Sequence, residues 1–408
     1  MAIVMQKTAA ADVVIFGGGI AGLWLLNRLR QEGFSVLLFE SGALGGGQTY
    51  KAQGIIHGGM KYALQGVLNQ SAQAMIDMPE RWKQCLSGQG EIDLSAVPIL
   101  STQHYLWSPH KFTSKLAGFL AGATLSSKVE TLQKENYPLV FQHAAFKGEV
   151  FSLDEIVVDV PVLVRELVKA NQDAIFKIEP LSGDELKVDE NGHLHSATVY
   201  MSGKSIEVSA QQFVFTAGAG NEVIIKKLKR TELAMQRRPL HMVMVKTPFH
   251  YPLYAHCLGL GSRPRVTITT HHTYDGNTIW YIGGMLAEEG VERDSQKQTQ
   301  AARAELMSLF PWLDFSHAEF ASFMIDRAEP LQKNGYKPDT FCIQRVENMM
   351  IAWPTKLALA PKLTDDIMQY FQQINLAPQL FDTRELRSWP IPPLARPIWE
   401  EMFCKNVA

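Results

Sequence analysis

The sequence predicts an α/β chain, α+β in overall content, with a Rossmann-like nucleotide-binding domain interrupted by an inserted antiparallel-sheet domain. Three observations predict it. The chain opens on a strand, glycine turn, helix and strand in succession. Its middle turns to strands of alternating character, and a buried strand and a helix return near the C-terminus. At 408 residues the chain can bury a large core, and domain sizes suggest roughly two or three domains.

The opening unit reads Asp12-Val-Val-Ile-Phe-Gly-Gly-Gly-Ile-Ala-Gly22, then an apolar helix pattern, then Ser35-Val-Leu-Leu-Phe-Glu40. The turn has the spacing Gly17-x-Gly19-x-x-Gly22. Gly17 allows a sharp exit from the strand, Gly19 lets backbone approach a pyrophosphate, and Gly22 lets helix and strand pack closely. The helix N-terminus at Ile20 and Ala21 offers unpaired amides and a positive dipole end to an anion. Glu40, 18 residues beyond Gly22, stands near the spacing at which a carboxylate accepts from ribose hydroxyls. Ile20, Leu23, Leu26 and Leu29 form a helical apolar stripe, and Gly33 is a natural stop. A glycine turn that binds nothing would not need all these parts together.

Composition is that of a globular protein, 46% hydrophobic and 20% charged. A net charge of −2 without a long basic run gives no reason to expect nucleic acid. No apolar leader or membrane-length stretch is present, which points to the cytoplasm. Cys85, Cys257, Cys342 and Cys404 are far apart and form no CxxC, so a disulfide framework, a zinc site and a redox dithiol are unsupported.

Along the chain, Ser41 to Tyr62 holds seven glycines. Residues 71 to 125 mix helical and apolar segments with Trp82, Tyr105, Trp107 and Phe119. A helix is expected from Val160 to Ala170, and a hairpin at Asn191-Gly192. Gln212-Phe-Val-Phe-Thr-Ala-Gly-Ala-Gly220 reads as a buried strand ending in small residues. His241–Lys246, Val266–Thr270 and Thr278–Gly284 read as members of one antiparallel sheet, interrupted by a helix over Gln298–Leu309. The strand Met349–Trp353 and a helix near Leu363–Asn375 follow. These readings assign 1–80, 150–235 and 325–380 to a discontinuous nucleotide-binding domain. They assign 81–149 and 236–324 to the inserted substrate domain, and 381–408 to a C-terminal extension. The extension, Trp389-Pro-Ile-Pro-Pro-Leu-Ala-Arg-Pro397 with Trp399 and Phe403, could pack on the body, join a partner subunit or touch a membrane.

The pattern resembles the flavin-dependent oxidoreductases of the D-amino-acid oxidase superfamily, above all the glycerol-3-phosphate dehydrogenase and 2-hydroxyacid dehydrogenase branches. Four blocks carry the likeness. They are the fingerprint with Glu40; Gly45-Gly-Gly-Gln-Thr-Tyr-Lys-Ala-Gln-Gly-Ile-Ile-His-Gly-Gly-Met-Lys-Tyr62; the pair Phe151–Asp159 and Phe213–Gly220; and Arg327-Ala-Glu-Pro330. The resemblance implies an FAD cofactor held by Gly17, Gly19, Ile20, Ala21, Gly22, Glu40 and Ser41. In the loop that runs under the flavin, Gly47, Gln48, Thr49, Gly58 and Gly59 are implicated; Ala217 and Gly218 follow the buried strand. Where the family commonly has a glycine-rich segment against the ring, this chain reads Ala352-Trp-Pro-Thr-Lys-Leu-Ala-Leu-Ala-Pro361. Thr355, Lys356 and Leu357 take that place, with a hydroxyl and a cation in place of glycine backbone.

Three residues are implied to be catalytic: His57, Arg327 and Lys356. His57 would lie near the isoalloxazine, where it could tune the flavin, act as a base or merely cap a turn. Lys61 stands where the related glycerol-phosphate enzymes tend to have arginine; it could equally be a solvated surface side chain. Arg327 could hold a carboxylate or phosphate through its guanidinium fork, or form a salt bridge with Asp326 or Glu329. Tyr281, His241, His271 and His272 remain open between core and site, without metal-ligand spacing.

FAD is favoured over NAD because the fingerprint opens the chain, recurs nowhere else and is accompanied by the second block. The flavin is then reduced by the substrate itself. The expected reaction is hydride transfer to flavin N5 from a small anionic substrate with a CH–OH or CH–NH group. The missing dithiol argues against a disulfide reductase. The lone Gly183-Asp184 pair in a hairpin region argues against a hydroxylase. A flavin-binding subunit or sensor without turnover, and an NAD-dependent dehydrogenase, are the alternatives. The electron acceptor stays open between oxygen, a quinone and a protein.

Overall fold

The strand Thr8–Phe16 sits at the centre of a mainly parallel sheet, and its near-continuous apolar run reflects burial on both faces. The fold is that of a computed structural model, which describes residues 7–59, 75–110, 129–229, 233–258, 263–332, 335, 338, 340–381 and 383–403. Across the sheet the order is Leu186–Val188, Leu194–Met201, Lys204–Phe215, Thr8–Phe16, Val36–Glu40 and Ile175–Lys177. Met349–Trp353 also runs parallel to Lys204–Phe215 and carries Cys342–Val346 on its far side.

The period-two alternation of a strand divides this sheet between two cores. Val13 and Ile15 face the helices Ile20–Gln31, Val160–Lys169 and Ala360–Gln373, which contribute Leu23, Leu26, Leu163, Leu167, Leu363 and Ile367. Val14 and Phe16 face the opposite way, among Phe39, Phe213, Phe215 and Trp353. Asp159 caps the second of these helices by accepting from Val162 N. Gly33, at φ 85°, ends the first as expected.

The second large sheet has the order Glu319–Pro330, Met235–Lys246, Thr278–Gly283, Pro264–His272, Ala255–Leu258, His104–Ser108, Glu149–Leu153 and Val129–Thr131. It contains the three strands read from alternation. It is antiparallel apart from Ala255–Leu258, which runs parallel to His104–Ser108. The helix Ser295–Leu309, capped by Asp294, covers one face through Ala302, Leu306 and Leu309 against Trp107 and Trp280. On the other face, Met242, Met244, Ile279 and Tyr281 pack against Ile398 and Trp399 of the C-terminal extension.

A third sheet places Ile156–Val158 between Ile55–Ile56 and Ile99–Ser101. Two segments depart from the sequence reading. The helix Met78–Leu86 packs in the first core, not with the inserted sheet: Trp82 lies 4.8 Å from Trp24 and donates its indole N–H to Ala358 O at 3.1 Å. Glu149–Leu153 belongs to the second sheet because it pairs with His104–Ser108, so the chain leaves that sheet only after Leu153. Among the described residues no helix is long and apolar enough to cross a membrane.

The described part of the C-terminal extension is tied down at several points. Lys177 N donates to Pro390 O, Leu44 N to Pro393 O and Ala395 N to Leu44 O. Trp399 then stacks on His271 at 4.3 Å in the second sheet.

Candidate functional site

The glycine turn is built as its spacing requires. Gly17 has φ 113°, a backbone region closed to most side chains. A Cβ on Gly22 would fall 2.0 Å from Gly17 O and 2.7 Å from Thr216 Oγ1, so only glycine lets the helix sit this close. Gly19 is the N-cap and supplies no capping side chain. Thr49 Oγ1 accepts from Ile20 N at 3.0 Å, the contact that brings the second glycine-rich loop to the helix N-terminus. Ala21 and Gly22 complete that first turn, both buried.

Glu40 ends its strand half-buried, and its carboxylate accepts from Gly18 N at 2.7 Å and from Gly42 N. Ser41 and Gly42 offer their carbonyls to Lys177 Nζ. Space above Gly47 is open, with nothing within 4 Å of a Cβ placed there. Gln48 Nε2 lies 3.6 Å from the Cβ position of Gly218, and Ala217 N donates to Asn221 Oδ1 at 3.0 Å. Gly17, Gln48, Thr49, Ala217 and Gly218 therefore converge, although they come from three stretches of chain. Donors at a helix N-terminus and along glycine backbone, with a strand-end carboxylate as acceptor, together suit a dinucleotide.

The loop continues beneath the second sheet. Gln53 Nε2 donates to Thr267 O at 3.1 Å and Tyr281 O at 2.9 Å, and the Tyr281 hydroxyl donates to Lys51 O at 2.6 Å. Tyr281 is thus a buried brace, and burial pushes its phenol well above the usual range. The register Ile55↔Val157, Ile56↔Ile156 sets His57 opposite Glu155. His57 Nδ1 lies 3.0 Å from Glu155 Oε2, while Gly58 N donates to Glu155 Oε1 at 2.9 Å. Gly59, at φ 90°, follows directly; Lys61 lies outside the described residues. Glu155 is 1% exposed. The His57 ring runs parallel to that of His256, 5.7 Å away, and His256 in turn meets His104 at 4.3 Å. Glu155, His256 and His104 carry no sequence motif; strand pairing in the third sheet brings Glu155 to His57, and the second sheet contributes the two histidines.

Arg327 lies on the strand Glu319–Pro330, which packs against the turn Gly218–Gly220. Its chain neighbours Asp326 and Glu329 pair with other arginines. Arg238 holds Glu329 at 2.6 and 3.1 Å, and Arg237 holds Asp326 at 2.9 Å. Arg327 Nε donates to Arg238 O at 3.1 Å.

At the remaining segment, Thr355 has φ 59°, the conformation that a glycine adopts without cost. Its hydroxyl donates to Thr340 O at 3.0 Å. Lys356 precedes the short turn Leu357–Leu359, which packs beside Ile55–Ile56.

Other candidates resolve as structural. His241 contacts Gly290 O and Ser322 Oγ, each at 3.0 Å, inside the core. Burial brings the buried His271 imidazole down to about 3. The described cysteines Cys85, Cys257 and Cys342 are free, and burial raises each thiol.

A family model described as FAD dependent oxidoreductase (DAO) matches residues 12–342. A probable FAD-dependent oxidoreductase of Pseudomonas aeruginosa is 45% identical over 404 residues, covering 98% of this chain and all of the relative. The crystal structure of an FAD-dependent oxidoreductase from the same organism has a TM-score of 0.83 at 42% identity, covering 97% of this chain and 99% of that one. Glycine oxidase from Geobacillus kaustophilus shares the fold at a TM-score of 0.60 and 18% identity, covering 95% of this chain and 99% of that one. So does L-α-glycerophosphate oxidase from Mycoplasma pneumoniae with FAD bound, at 0.61 and 14%, covering 89% and 95%.

Proposed function

The chain belongs to the FAD-dependent oxidoreductase family, and from that premise we propose that it oxidises a small anionic substrate at a carbon bearing a hydroxyl or an amine. The cofactor is FAD. When bound, FAD would supply the two-electron acceptor for the hydride from the substrate's C–H bond. Gly17, Gly19, Ile20, Ala21, Gly22 and Thr49 would hold the pyrophosphate by backbone amides and a hydroxyl. Glu40, with Ser41 beside it, would take the ribose. Gly47, Gln48, Gly58, Gly59, Ala217 and Gly218 would line the path to the ring, where Thr355, Lys356 and Leu357 supply a hydroxyl, a cation and backbone.

The residues of this chain would orient the substrate and move one proton. Arg327 binds the carboxylate or phosphate in two parallel bonds and so fixes the reacting carbon. His57 accepts the proton of the hydroxyl or amine as that C–H bond breaks. The buried seam between the loop and the second sheet, braced by Gln53 and Tyr281, keeps water from the reacting atoms.

The position of Arg327 carries this reading: it lies on the strand Glu319–Pro330, which packs against the turn Gly218–Gly220 on the cofactor's expected path. Two relatives in fold act, by their names, on glycine and on glycerophosphate. Both substrates combine an anionic group with CH–NH or CH–OH.

The test is anaerobic mixing of the purified yellow protein with 2-hydroxy acids, amino acids and glycerol phosphates. Bleaching of the flavin by at least one anionic member is expected. Bleaching by none of them, with reduction by NADH or NADPH, would contradict the reading.

A further inference from the structure

We propose that Glu155 is a positioning residue that fixes the tautomer of His57, with the proton on Nδ1 and the lone pair on Nε2. The inference rests on the reading of His57 as the proton acceptor and names what makes that possible.

Two features of the pairing carry it. Glu155 is 1% exposed, a burial that carboxylates reach only when paired. Its partners are on one neighbouring strand end: Oε2 faces His57 Nδ1 at 3.0 Å and Oε1 accepts from Gly58 N at 2.9 Å. A carboxylate receiving a backbone amide on one oxygen presents a pure acceptor on the other, which selects Nδ1–H in the facing imidazole. Turning the ring to exchange its nitrogens would set a C–H against Glu155 Oε2 and lose that bond. His256 lies parallel to the ring at 5.7 Å and is itself held by Thr267 Oγ1 at 2.8 Å from His256 Nδ1. His104 backs His256 at 4.3 Å.

The geometry makes an unusual mutational order. In Glu155→Gln, the Gly58 amide still requires an acceptor, so it takes the amide oxygen and turns the NH2 group toward His57 Nδ1. His57 must then carry its proton on Nε2, the nitrogen that has to accept. The nearly isosteric change therefore removes the base, while the shorter Glu155→Asp retains a carboxylate and the correct tautomer. A role in packing alone predicts the reverse order, since Asp leaves a gap and Gln does not.

The experiment is long-range 1H–15N correlation on histidine-labelled, FAD-loaded protein, with His57→Gln assigning the His57 ring. Nδ1–H is expected in wild type and in Glu155→Asp, and Nε2–H in Glu155→Gln. With a substrate found by the anaerobic panel, Glu155→Gln should reduce its flavin about 10²-fold more slowly or worse, at unchanged FAD content and substrate affinity. Glu155→Asp should lose less.

The proposal is overturned if Glu155→Gln keeps the wild-type tautomer or if Asp is the more damaging change. It is also overturned if wild-type His57 carries Nε2–H. The donor atoms of His57, Glu155 and His256 lie within 4.8 Å of one another. A stoichiometric metal on His57 in the purified protein would therefore overturn it as well. If His57→Gln reduces its flavin at the wild-type rate, the base reading fails, and the tautomer spectra still decide the role of Glu155.

Discussion

The two ends of the site are built by different means. At the glycine turn the constraints are steric, made by backbone and carried by residues close in the chain. Gly22 sits against Gly17 O, and a single spacing encodes that approach. At the end where the proposed reaction would occur, strand register sets His57 beside Glu155, His256 meets them from the second sheet, and Arg327 lies on another strand of that sheet. A motif is legible where chain neighbours are also neighbours in space. A constellation joined by strand pairing leaves no such trace.

The widest separation of the two ends comes from two glycines that both exclude a side chain. A Cβ would lie 2.0 Å from Gly17 O at Gly22 and 1.8 Å from Ser108 O at Gly148, beside the second sheet. Gly22→Val and Gly148→Ala should each cost about 1–3 kcal/mol or more by overpacking. Only Gly22→Val should also lose the flavin from its folded fraction. The ratio of flavin to protein absorbance, read with the melting temperature, checks both. Flavin loss in both variants would mean the two regions are not separable.

A smaller effect should distinguish them by pH. Residues 7–49 contain no histidine, whereas the second sheet buries His271. Its folded value is held near 3 against an ordinary 6.5, so below about 6.5 the unfolded chain takes a proton that the folded one refuses. Stability should therefore fall as pH drops from 6.5 toward 3, by up to about 1.4 kcal/mol per pH unit from this group. It should be indifferent to this group above that window. Urea midpoints for wild type and His271→Gln between neutral and mildly acid pH would show a shallower decline in the variant. Parallel curves would remove His271 as a cause.

The smallest expected effect is at Thr355. Its left-handed backbone costs about 1 kcal/mol or more, and the hydroxyl bond to Thr340 O offsets about 0.5–1.5 kcal/mol. Thr355→Gly, which loses both, should melt close to wild type. Thr355→Val, which keeps the strain and loses the bond, should melt lower by about 1–2 °C. Equal melting temperatures would show that the backbone there is not strained.

The first βαβ unit was readable to its stop at Gly33, and so were the hairpin at Asn191-Gly192 and three strands of the second sheet, because each depends on local pattern. The helix Met78–Leu86 was not, since its Trp82 reads as an aromatic in a mixed segment until Trp24 and Ala358 are seen around it. The lack of glycine near Thr355 looked like a missing element. The structure keeps the glycine-like turn and puts threonine in it. The extension from Trp389 to Phe403 gave no periodicity because it runs irregularly past Leu44 and ends in the short helix Ile398–Phe403, whose Trp399 stacks on His271.

The most direct measurement is the anaerobic reductive half-reaction of wild type and Arg327→Ala, followed across substrate concentration. An apparent dissociation constant raised about tenfold or more, equivalent to about 1.4 kcal/mol, is expected at unchanged flavin content. An unchanged dissociation constant, or loss of flavin in place of substrate affinity, would contradict substrate binding by Arg327.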